Sequence, residues 1–396
     1  MIPFRASLQT AVGGLPRIFW TLVVGIFVNR LASFVITFLA IYLVRERGLA
    51  ANEAGRIAAL FGFGLLVAGP VGGTLADAVG RRATMILSLV LGALSTGAIG
   101  FAREPAALAV LTFLSALTNE MYRPAMAAVI ADVVRPGDRA RAWGLMYWAV
   151  NLGWGVGLAL GGLIASRSFV ALFLADAATS LGFAAIVARG VPETRPADVR
   201  AQPPLAGLAR VFADGPFVGF LLLNLTALVV FVQFQLAGAV DMSAHGLGPG
   251  VFAAILSLNA IGVVILQPIL GPALSRSDGA RLLAASSLFI GAGFGVNALA
   301  GWLPPLPVYA AGTVLWTIGE VTGFPAGAAI VANLAPSDLR GRYQGVFSMS
   351  WGVAFTVAPV LGGELLTRLG SRALWATCFL ICAAVAAGHV LTAGPR

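Results

Sequence analysis

Two stretches of the chain repeat each other: RPAMAAVIADVVRPGDRARAWG at residues 123–144 and FPAGAAIVANLAPSDLRGRYQG at residues 324–345. The same shift of 201 residues continues past the end of both stretches. One shift that holds over so long a segment predicts two structurally equivalent halves. The aligned pairs are Pro124 with Pro325, Arg141 with Arg342, Gly144 with Gly345, and Gly161–Gly162 with Gly362–Gly363.

Apolar runs extend on both sides of these repeats and fill most of the chain. Of the 396 residues, 59% are hydrophobic and 10% are charged, and the mean hydropathy is +0.92. In a soluble domain about a quarter of the residues are charged, so the composition excludes a soluble enzyme, a disordered chain and a fibrous protein. We predict twelve membrane-spanning helices near residues 18–44, 51–77, 83–101, 106–133, 141–166, 168–189, 215–240, 249–275, 281–300, 306–334, 342–367 and 373–391.

The longest polar stretch, residues 190–214, separates the first six spans from the last six and carries four prolines. We interpret it as a cytoplasmic linker between two six-helix bundles, residues 1–189 and residues 215–396. Parallel repeats of this kind form one large transporter architecture. The sequence therefore predicts an all-α membrane protein with two pseudo-symmetric halves.

The basic residues predict the orientation in the membrane. All 25 are arginine, and the net charge is +9. With a cytoplasmic N-terminus, sixteen arginines lie on the cytoplasmic side, seven lie outside, and Arg30 and Arg123 lie within spans. Cytoplasmic loops carry the excess of positive charge, so we expect a multi-pass protein of the bacterial cytoplasmic membrane with both termini in the cytoplasm.

Several kinds of chemistry are disfavoured. Without lysine the chain can form neither a Walker A loop for ATP nor a Schiff base. The arginines are scattered between apolar runs, which does not favour nucleic-acid binding. Cys378 and Cys382 have no histidine or carboxylate beside them, so we expect packing residues and no metal site. We find no nucleophile–base pair either, and predict no enzyme activity, no catalytic residues and no cofactor.

The loop after span 2 reads GTLADAVGRR at residues 73–82. It resembles the G-x-L-a-D-r-x-G-r-k loop motif of the major facilitator superfamily, with Ala78 at the position that is often basic. A degraded second copy lies at residues 271–281, between spans 8 and 9. The resemblance covers the whole chain and implies the twelve-helix fold of that superfamily.

A second motif resembles that of the drug/proton antiporters of the superfamily, which carry G-x8-G-x3-G-P-x2-G-G in span 5. Leu158 replaces the proline of this pattern. The segments around Asn29-Arg30 and Tyr122-Arg123-Pro124 also resemble bacterial multidrug exporters. The glycines could line a sliding contact between the halves or serve ordinary close packing of helices. The matching glycines are Gly144, Gly153, Gly157, Gly161 and Gly162.

The loop motif suggests a conformational latch on the cytoplasmic side. We expect Asp77 to face the positive N-terminal end of a helix of the other half, near Gly341. Arg81 and Arg82 are expected to pair with Asp132 or Asp138. The alternative is that these arginines only set the topology. The predicted latch residues are Gly73, Asp77, Gly80, Arg81, Arg82 and Asp132.

Three charges lie at mid-depth in spans 1, 4 and 10: Arg30, Glu120 and Glu320. A charge there costs about 2.5–3.5 kcal/mol on insertion scales, so each is expected to have a partner or a wet cavity. The resemblance implies that these spans line the central cavity. We expect Arg30 to pair with Glu120, and Glu320 to face the cavity alone or to share Arg30 in another state. These three residues are the proton-coupling candidates.

Alternatives remain for these charges. Glu120 could instead form a local i,i+3 bridge with Arg123. We interpret Asp176, in span 6, as structural because that span is expected to be peripheral. Asp241 is expected at the outer end of span 7 and His245 in the loop after it, so we predict no histidine proton relay.

Polar and aromatic residues in the same spans are candidates for a substrate cavity. They could equally bridge or fill the helix bundle, as such residues commonly do. With few charges present, the set suits an amphipathic or lipophilic substrate. The candidates are Asn29, Phe34, Tyr122, Arg123, Asn224, Gln233 and Phe234.

Together these features predict a secondary active transporter that works by alternating access. The leading hypothesis is proton-coupled efflux of amphipathic small molecules by a monomer in the lipid bilayer, with the proton gradient as energy source. Alternatives are proton-coupled uptake of a peptide or sugar, translocation of a lipid, and a non-transporting sensor or assembly partner on this fold.

Overall fold

The computed structural model of the protein describes residues 13–32, 39, 42–165, 167–195 and 204–392. Apart from one isolated bridge between Ala300 and Leu303, the regular structure of these residues is helical. The helices are α1 (Arg17–Arg30), α2 (Ala51–Ala78), α3 (Arg81–Ile99), α4 (Pro105–Glu120), α5 (Tyr122–Val133), α6 (Arg139–Ala165), α7 (Phe169–Gly190), α8 (Pro204–Ala213), α9 (Gly215–Phe231), α10 (Gln233–Ala244), α11 (Pro249–Leu274), α12 (Gly279–Asn297), α13 (Pro305–Leu334) and α14 (Arg340–Thr392).

The helices follow the predicted spans, and the predicted fold class is confirmed. Eight of the described helices are long and apolar enough to cross a membrane. Two predicted spans, 11 and 12, lie together in α14, where Gly370 has φ 82° and ψ 175° and separates them. Glycine tolerates this backbone conformation because it has no Cβ.

Two predicted spans are each divided into two helices. Span 4 consists of α4 and α5 with Met121 between them, and span 7 consists of α9 and α10 with Val232 between them. Met121 and Val232 both have right-handed helical backbone angles, and each donates its N–H to a carbonyl four residues earlier. These divisions are therefore local irregularities, and the chain continues in the same direction.

The predicted linker contains a helix, α8, that was not predicted from the sequence. In α8, Leu208 and Val211 lie on one face, and Val211 is fully buried. They pack with Phe217, Leu339 and Tyr343 in a small apolar cluster. Burial of an apolar face stabilises a short helix that its length alone would not. The boundaries of the two halves at residues 189 and 215 remain predictions.

The two halves contact each other through a few helix pairs. The α2 helix packs along α14, α6 packs against α11 and α13, and α5 packs against the first part of α14. Separate apolar clusters fill each half, one around Tyr122 and Phe183 and another around Phe234 and Trp375. We call the end of the bundle that carries the Gly73–Arg82 loop the motif end, and the opposite end the far end.

Candidate functional site

Asp77, at the end of α2, caps the first turn of α14 in the other half. Its Oδ1 accepts a hydrogen bond from the backbone N–H of Gly341 at 2.9 Å, and its Oδ2 accepts one from the N–H of Arg342 at 2.9 Å. The first N–H groups of a helix lack partners within it and carry the positive end of its dipole, so they stabilise a carboxylate. Asp77 is only 4% exposed, so little water competes for these bonds.

The cap forms because α2 and α14 cross with almost no side chains between them. Gly73 lies against the carbonyl of Gly341, and Gly69 lies against Gly345. A Cβ on Gly341 would lie 2.7 Å from Asp77 Oδ1, and a Cβ on Gly345 would lie 3.2 Å from the Cα of Gly73. Glycine therefore allows the close approach of the two backbones.

A second carboxylate caps α3 within the same region. Glu193 accepts hydrogen bonds from the backbone N–H groups of Arg81 at 2.9 Å and Arg82 at 3.1 Å. Gly80, just before α3, has φ 123° and ψ 154°, a conformation that favours glycine. Glu193 lies in the predicted linker, and its role as a cap is not evident from the sequence because the pairing spans 112 residues of chain.

The expected pairing of Arg82 is wrong. Its Nη2 donates to the carbonyl oxygen of Ala188 at 2.7 Å, so Arg82 binds the end of α7 within its own half. Asp138 is also occupied elsewhere, because it pairs with Arg141 at 2.9 Å. The physical reason is local: at the start of α3, Arg82 points towards the end of α7, whereas Arg81 points towards Asp132 and Ser337.

Arg81 lies between two carboxylates, Asp77 at the end of span 2 and Asp132 at the end of span 4. Its Nε is 3.4 Å from Asp132 Oδ2 and its Nη2 is 3.7 Å from Asp77 Oδ1. The same Nη2 donates to the carbonyl oxygen of Ser337, in the other half, at 3.1 Å. Arg81 is 1% exposed, so this buried guanidinium joins the two halves.

Two further arginines bridge the halves in a reciprocal way. Arg340 pairs with Asp132, and Arg139 donates to Asn333 Oδ1 at 2.6 Å and to the carbonyl oxygen of Ala332 at 2.8 Å. Arg139 and Arg340 are 201 residues apart, and so are Asp132 and Asn333. The pseudo-symmetry of the sequence thus reappears as paired contacts. We call the contacts of Asp77, Arg81, Asp132, Arg139 and Arg340 the latch.

At mid-depth, Glu120 lies between two arginines. Its Oε1 is 3.5 Å from Arg30 Nη2, and its Oε2 is 2.8 Å from Arg123 Nε. Both pairings considered from the sequence therefore coexist, and the local i,i+3 bridge is the shorter one. Arg30 also donates to the hydroxyl of Tyr122 at 3.0 Å.

Asp176 belongs to this charged group, contrary to the peripheral position expected for it. It is 6% exposed and lines the same cavity of about 570 Å³ as Arg30 and Glu120. We call this space, which α2, α4 and α14 enclose with parts of α1, α6 and α7, the far cavity. The helix assignment of Asp176 was correct, but which face of α7 meets α1 could not be read from the sequence. The far cavity therefore contains a second carboxylate.

Glu320 does not face a cavity alone. It is 3% exposed and accepts hydrogen bonds from the hydroxyl of Tyr147, in the other half, and from Asn259 Nδ2 at 2.6 Å. Asn259 also donates to Thr317 Oγ1 at 3.0 Å. The carboxylate thus joins α6 of one half to α11 and α13 of the other.

A smaller cavity of about 200 Å³ lies next to Tyr147, on the side of the motif end. We call it the near cavity. Asn224 and Arg123 line it, as expected for cavity residues, and Arg123 lines the far cavity as well. The remaining polar lining is sparse, so most of the wall is aromatic or aliphatic. The aromatic residues of this wall are Trp143, Tyr147, Phe324, Phe347 and Trp351.

Other predicted cavity residues have different surroundings. Asn29 lines the far cavity but donates to Ser180 at 3.0 Å. Gln233 donates to the carbonyl oxygen of Ala358 at 2.9 Å, between α10 and α14. Phe234 is 1% exposed and packs among the rings of Phe294, Trp316 and Trp375. Tyr122, fully buried, contacts Phe183.

These contacts correct the expectation for Gln233, Phe234 and Tyr122. Each joins neighbouring helices, as the alternative interpretation from the sequence allowed, because its side chain points into the bundle of its own half. Phe34 lies outside the described residues.

The glycines of α6 pack against two neighbouring helices, α1 and α11. Gly153 and Gly157 lie against α1, where added Cβ atoms would be 2.8 Å from Arg30 Cβ and 2.7 Å from the Arg30 carbonyl oxygen. Gly144 lies against Gln267 of the other half. Close packing within one half and contact between the halves therefore occur on the same helix. Gly161 and Gly162 lie in its last turns.

Comparisons with known proteins agree with this architecture. The family model of the Major Facilitator Superfamily matches residues 22–240 and 224–393. The chain is similar to the uncharacterized MFS-type transporter YttB of Bacillus subtilis strain 168, with 29% identity over 369 residues, covering 91% of each chain. It is 25% identical over 349 residues to multidrug resistance protein 1 of that strain, covering 85% of this chain and 88% of that one.

The fold resembles that of a bacterial homologue of the iron transporter ferroportin in an outward-facing state. The TM-score is 0.81 at 14% identity, and the match covers 96% of this chain and 100% of that one. This likeness concerns the fold alone. Since the family model covers almost the whole chain, the protein belongs to the Major Facilitator Superfamily and is a transporter, not an enzyme.

Proposed function

We propose that this transporter exports amphipathic, preferentially cationic small molecules in exchange for protons. The observation that carries the proposal is Glu320, a buried carboxylate at the junction of the two halves. Its oxygens bind Tyr147 of one half and Asn259 of the other. Ionisable groups within membrane spans are expensive to bury and commonly mark proton or substrate pathways.

Glu320 provides a way to couple a proton to a conformational change. As a carboxylate it can accept both hydrogen bonds, and these link α6 to α11 and α13. A proton on one oxygen turns an acceptor into a donor and removes the charge, which weakens the link to Tyr147. A bound cation would compete with the proton for the same carboxylate, and such competition is the basis of antiport.

The cavities support the substrate class. In the far cavity, Arg30 and Arg123 are balanced by Glu120 and Asp176, so Glu320 adds one negative charge to the region. The aromatic wall of the near cavity offers ring faces, which attract cations and bury apolar surface. A lipophilic cation satisfies both features. A relative by sequence is named multidrug resistance protein 1, which supports a drug-like substrate.

The distribution of the arginines supports an orientation in the membrane. We propose that the motif end is cytoplasmic, since the latch arginines and most loop arginines lie there. With the latch formed, the far cavity lies beyond it on the outer side, which suits release of an exported molecule. The chain would act as a monomer by alternating access, and the proton gradient would supply the energy.

The test is uptake of ethidium into proteoliposomes under an imposed pH gradient. Glu320→Gln keeps the shape of the side chain but cannot ionise, so we expect gradient-dependent flux to be lost. The affinity for ethidium should fall by roughly tenfold or more, since a bond to a charged group contributes about 1.5–3 kcal/mol. Glu364→Gln is the matched control, because Glu364 is exposed and pairs only locally with Arg368 in the described structure.

Retention of full gradient-driven flux by Glu320→Gln would remove this carboxylate from the coupling mechanism. Flux in neither protein, together with uptake of a peptide or sugar, would favour the symport alternative. Movement of a labelled lipid without dye flux would favour lipid translocation.

A further inference from the structure

A second buried carboxylate, Asp241, lies at the far end of the C-terminal half and has no part in the mechanism above. It is 1% exposed. Its Oδ2 accepts hydrogen bonds from the hydroxyl of Tyr309 at 2.5 Å and from the indole Nε1 of Trp375 at 2.7 Å. Asp241 lies on α10, and these donors lie on α13 and α14. One carboxylate oxygen therefore holds three helices together.

The other oxygen of Asp241 is directed towards a histidine. His245 Nδ1 lies 3.5 Å from Asp241 Oδ1, and this oxygen has no hydrogen-bond partner within the described residues. The same nitrogen is 3.2 Å from the Tyr309 hydroxyl and 2.9 Å from the carbonyl oxygen of Asp241. The side chain of His245 is 18% exposed, so the imidazole connects the buried carboxylate to the protein surface.

The surroundings of Asp241 contain few other charges. Within the described part of the chain, His245 is the only ion-pair partner recorded for it. The titratable group that faces it from α13 is Tyr309, and α14 contributes the indole of Trp375. The nearby Arg372 instead lies over the ring of Trp302, 3.7 Å from its centroid. A proton is thus the simplest means of neutralising this carboxylate.

We propose that Asp241 and His245 form a second proton-binding site, against the expectation from the sequence that no histidine relays protons. In the loading step, the imidazolium of His245 gives one proton to the carboxylate of Asp241, which leaves a neutral imidazole and a carboxylic acid. The histidine is then reprotonated from the solution at the far end. The inference rests on the proposed function, in which Glu320 exchanges protons.

The direct test is infrared difference spectroscopy of the purified transporter in lipid between high and low pH. A carboxyl group that takes up a proton gains a C=O stretching band, and the band can be assigned by substitution. We expect Glu320→Gln to remove one band and Asp241→Asn to remove a different one. Asp214→Asn is the matched control, because Asp214 also accepts from a tyrosine hydroxyl, that of Tyr343 at 2.6 Å, but lies at the motif end.

The two proposals fail in different ways. If Asp241→Asn leaves every band in place while Glu320→Gln removes one, the second site is wrong and the proposed function stands. If Asp241→Asn removes a band and Glu320→Gln does not, the second site stands and the coupling role of Glu320 is wrong. The readout needs no transported substrate.

His245→Gln tests the site even if Asp241→Asn does not fold, because His245 lies at the end of α10 and its side chain is 18% exposed. We expect the carboxyl band of Asp241 to appear at a different pH, while the band of Glu320 is unchanged. An unchanged pH dependence of the Asp241 band would overturn the role of His245.

Discussion

At the scale of single residues, Asp77 binds two backbone N–H groups of the opposite half, one with each oxygen. Asp77→Asn replaces one acceptor oxygen by an NH2 group, which would face another donor. We expect the latched state to lose about 1.5–3 kcal/mol, so that the ratio of latched to open molecules falls roughly tenfold to a hundredfold. In the proposed cycle, dye transport should slow while membrane insertion is unchanged, and flux assays on equal amounts of protein measure this.

The control for that substitution is Asp278→Asn, since Asp278 caps its own helix α12 through Arg281 N–H at 3.0 Å and makes no recorded bond to the other half in the described residues. Transport by Asp77→Asn at the rate of this control would contradict the latch.

Contacts of single residues were predictable where a sequence motif fixed their spacing. They were not predictable where they depend on which face of one helix packs against another helix far away in the chain. The position of Asp77 near Gly341 follows from the loop motif and the helix dipole. The packing of Asp176 beside Arg30 depends on the rotation of α7 about its axis. In an almost uniformly apolar membrane helix, the sequence gives little information about that rotation. The partners of Asp241 also required contacts that span 68 and 134 residues.

At the scale of elements, the crossing of α2 and α14 depends on backbone contact. Gly345→Leu would place a side chain where even a Cβ lies 3.2 Å from the Cα of Gly73. We expect the two helices to separate at the motif end, because neither backbone can yield as a flexible side chain would. Labelled cysteines on the loops at Gly137 and Ser277, both exposed, would then show longer distances by electron paramagnetic resonance.

Gly363→Leu is the matched control on the same helix, since a Cβ there meets nothing within 4 Å. A Gly345→Leu protein with the distance distribution of this control would show that the crossing tolerates a side chain. The helices themselves were predictable from apolar runs, whereas α8 was not. Its apolar face is short and becomes buried only against α9 and α14.

At the scale of the whole molecule, the repeat of 201 residues produces two related contacts between the halves. We call them the clasps: Arg340 with Asp132, and Arg139 with Asn333. Arg340 meets the carboxylate of Asp132, whose side chain is 9% exposed, whereas Arg139 meets the amide of Asn333, which is exposed. Asp132→Asn makes both clasps neutral on the acceptor side, and Asn333→Asp makes both ionic. The two substitutions should therefore shift the motif end in opposite directions.

The magnitudes should differ because exposure weakens an ion pair. Asp132→Asn loses bonds from Arg81 and Arg340, and each charged contact contributes about 1.5–3 kcal/mol. The ratio of open to latched molecules should therefore rise tenfold or more. Asn333→Asp gains an ion pair with Arg139 that is screened by solvent and contributes about 0–1 kcal/mol. The ratio of latched to open molecules should therefore rise less than tenfold, and the rise should be smaller at high salt. Distances between labels at Gly137 and Ser277 measure both shifts. Shifts of the same sign in both variants would mean that the clasps do not act as equivalent parts of one latch.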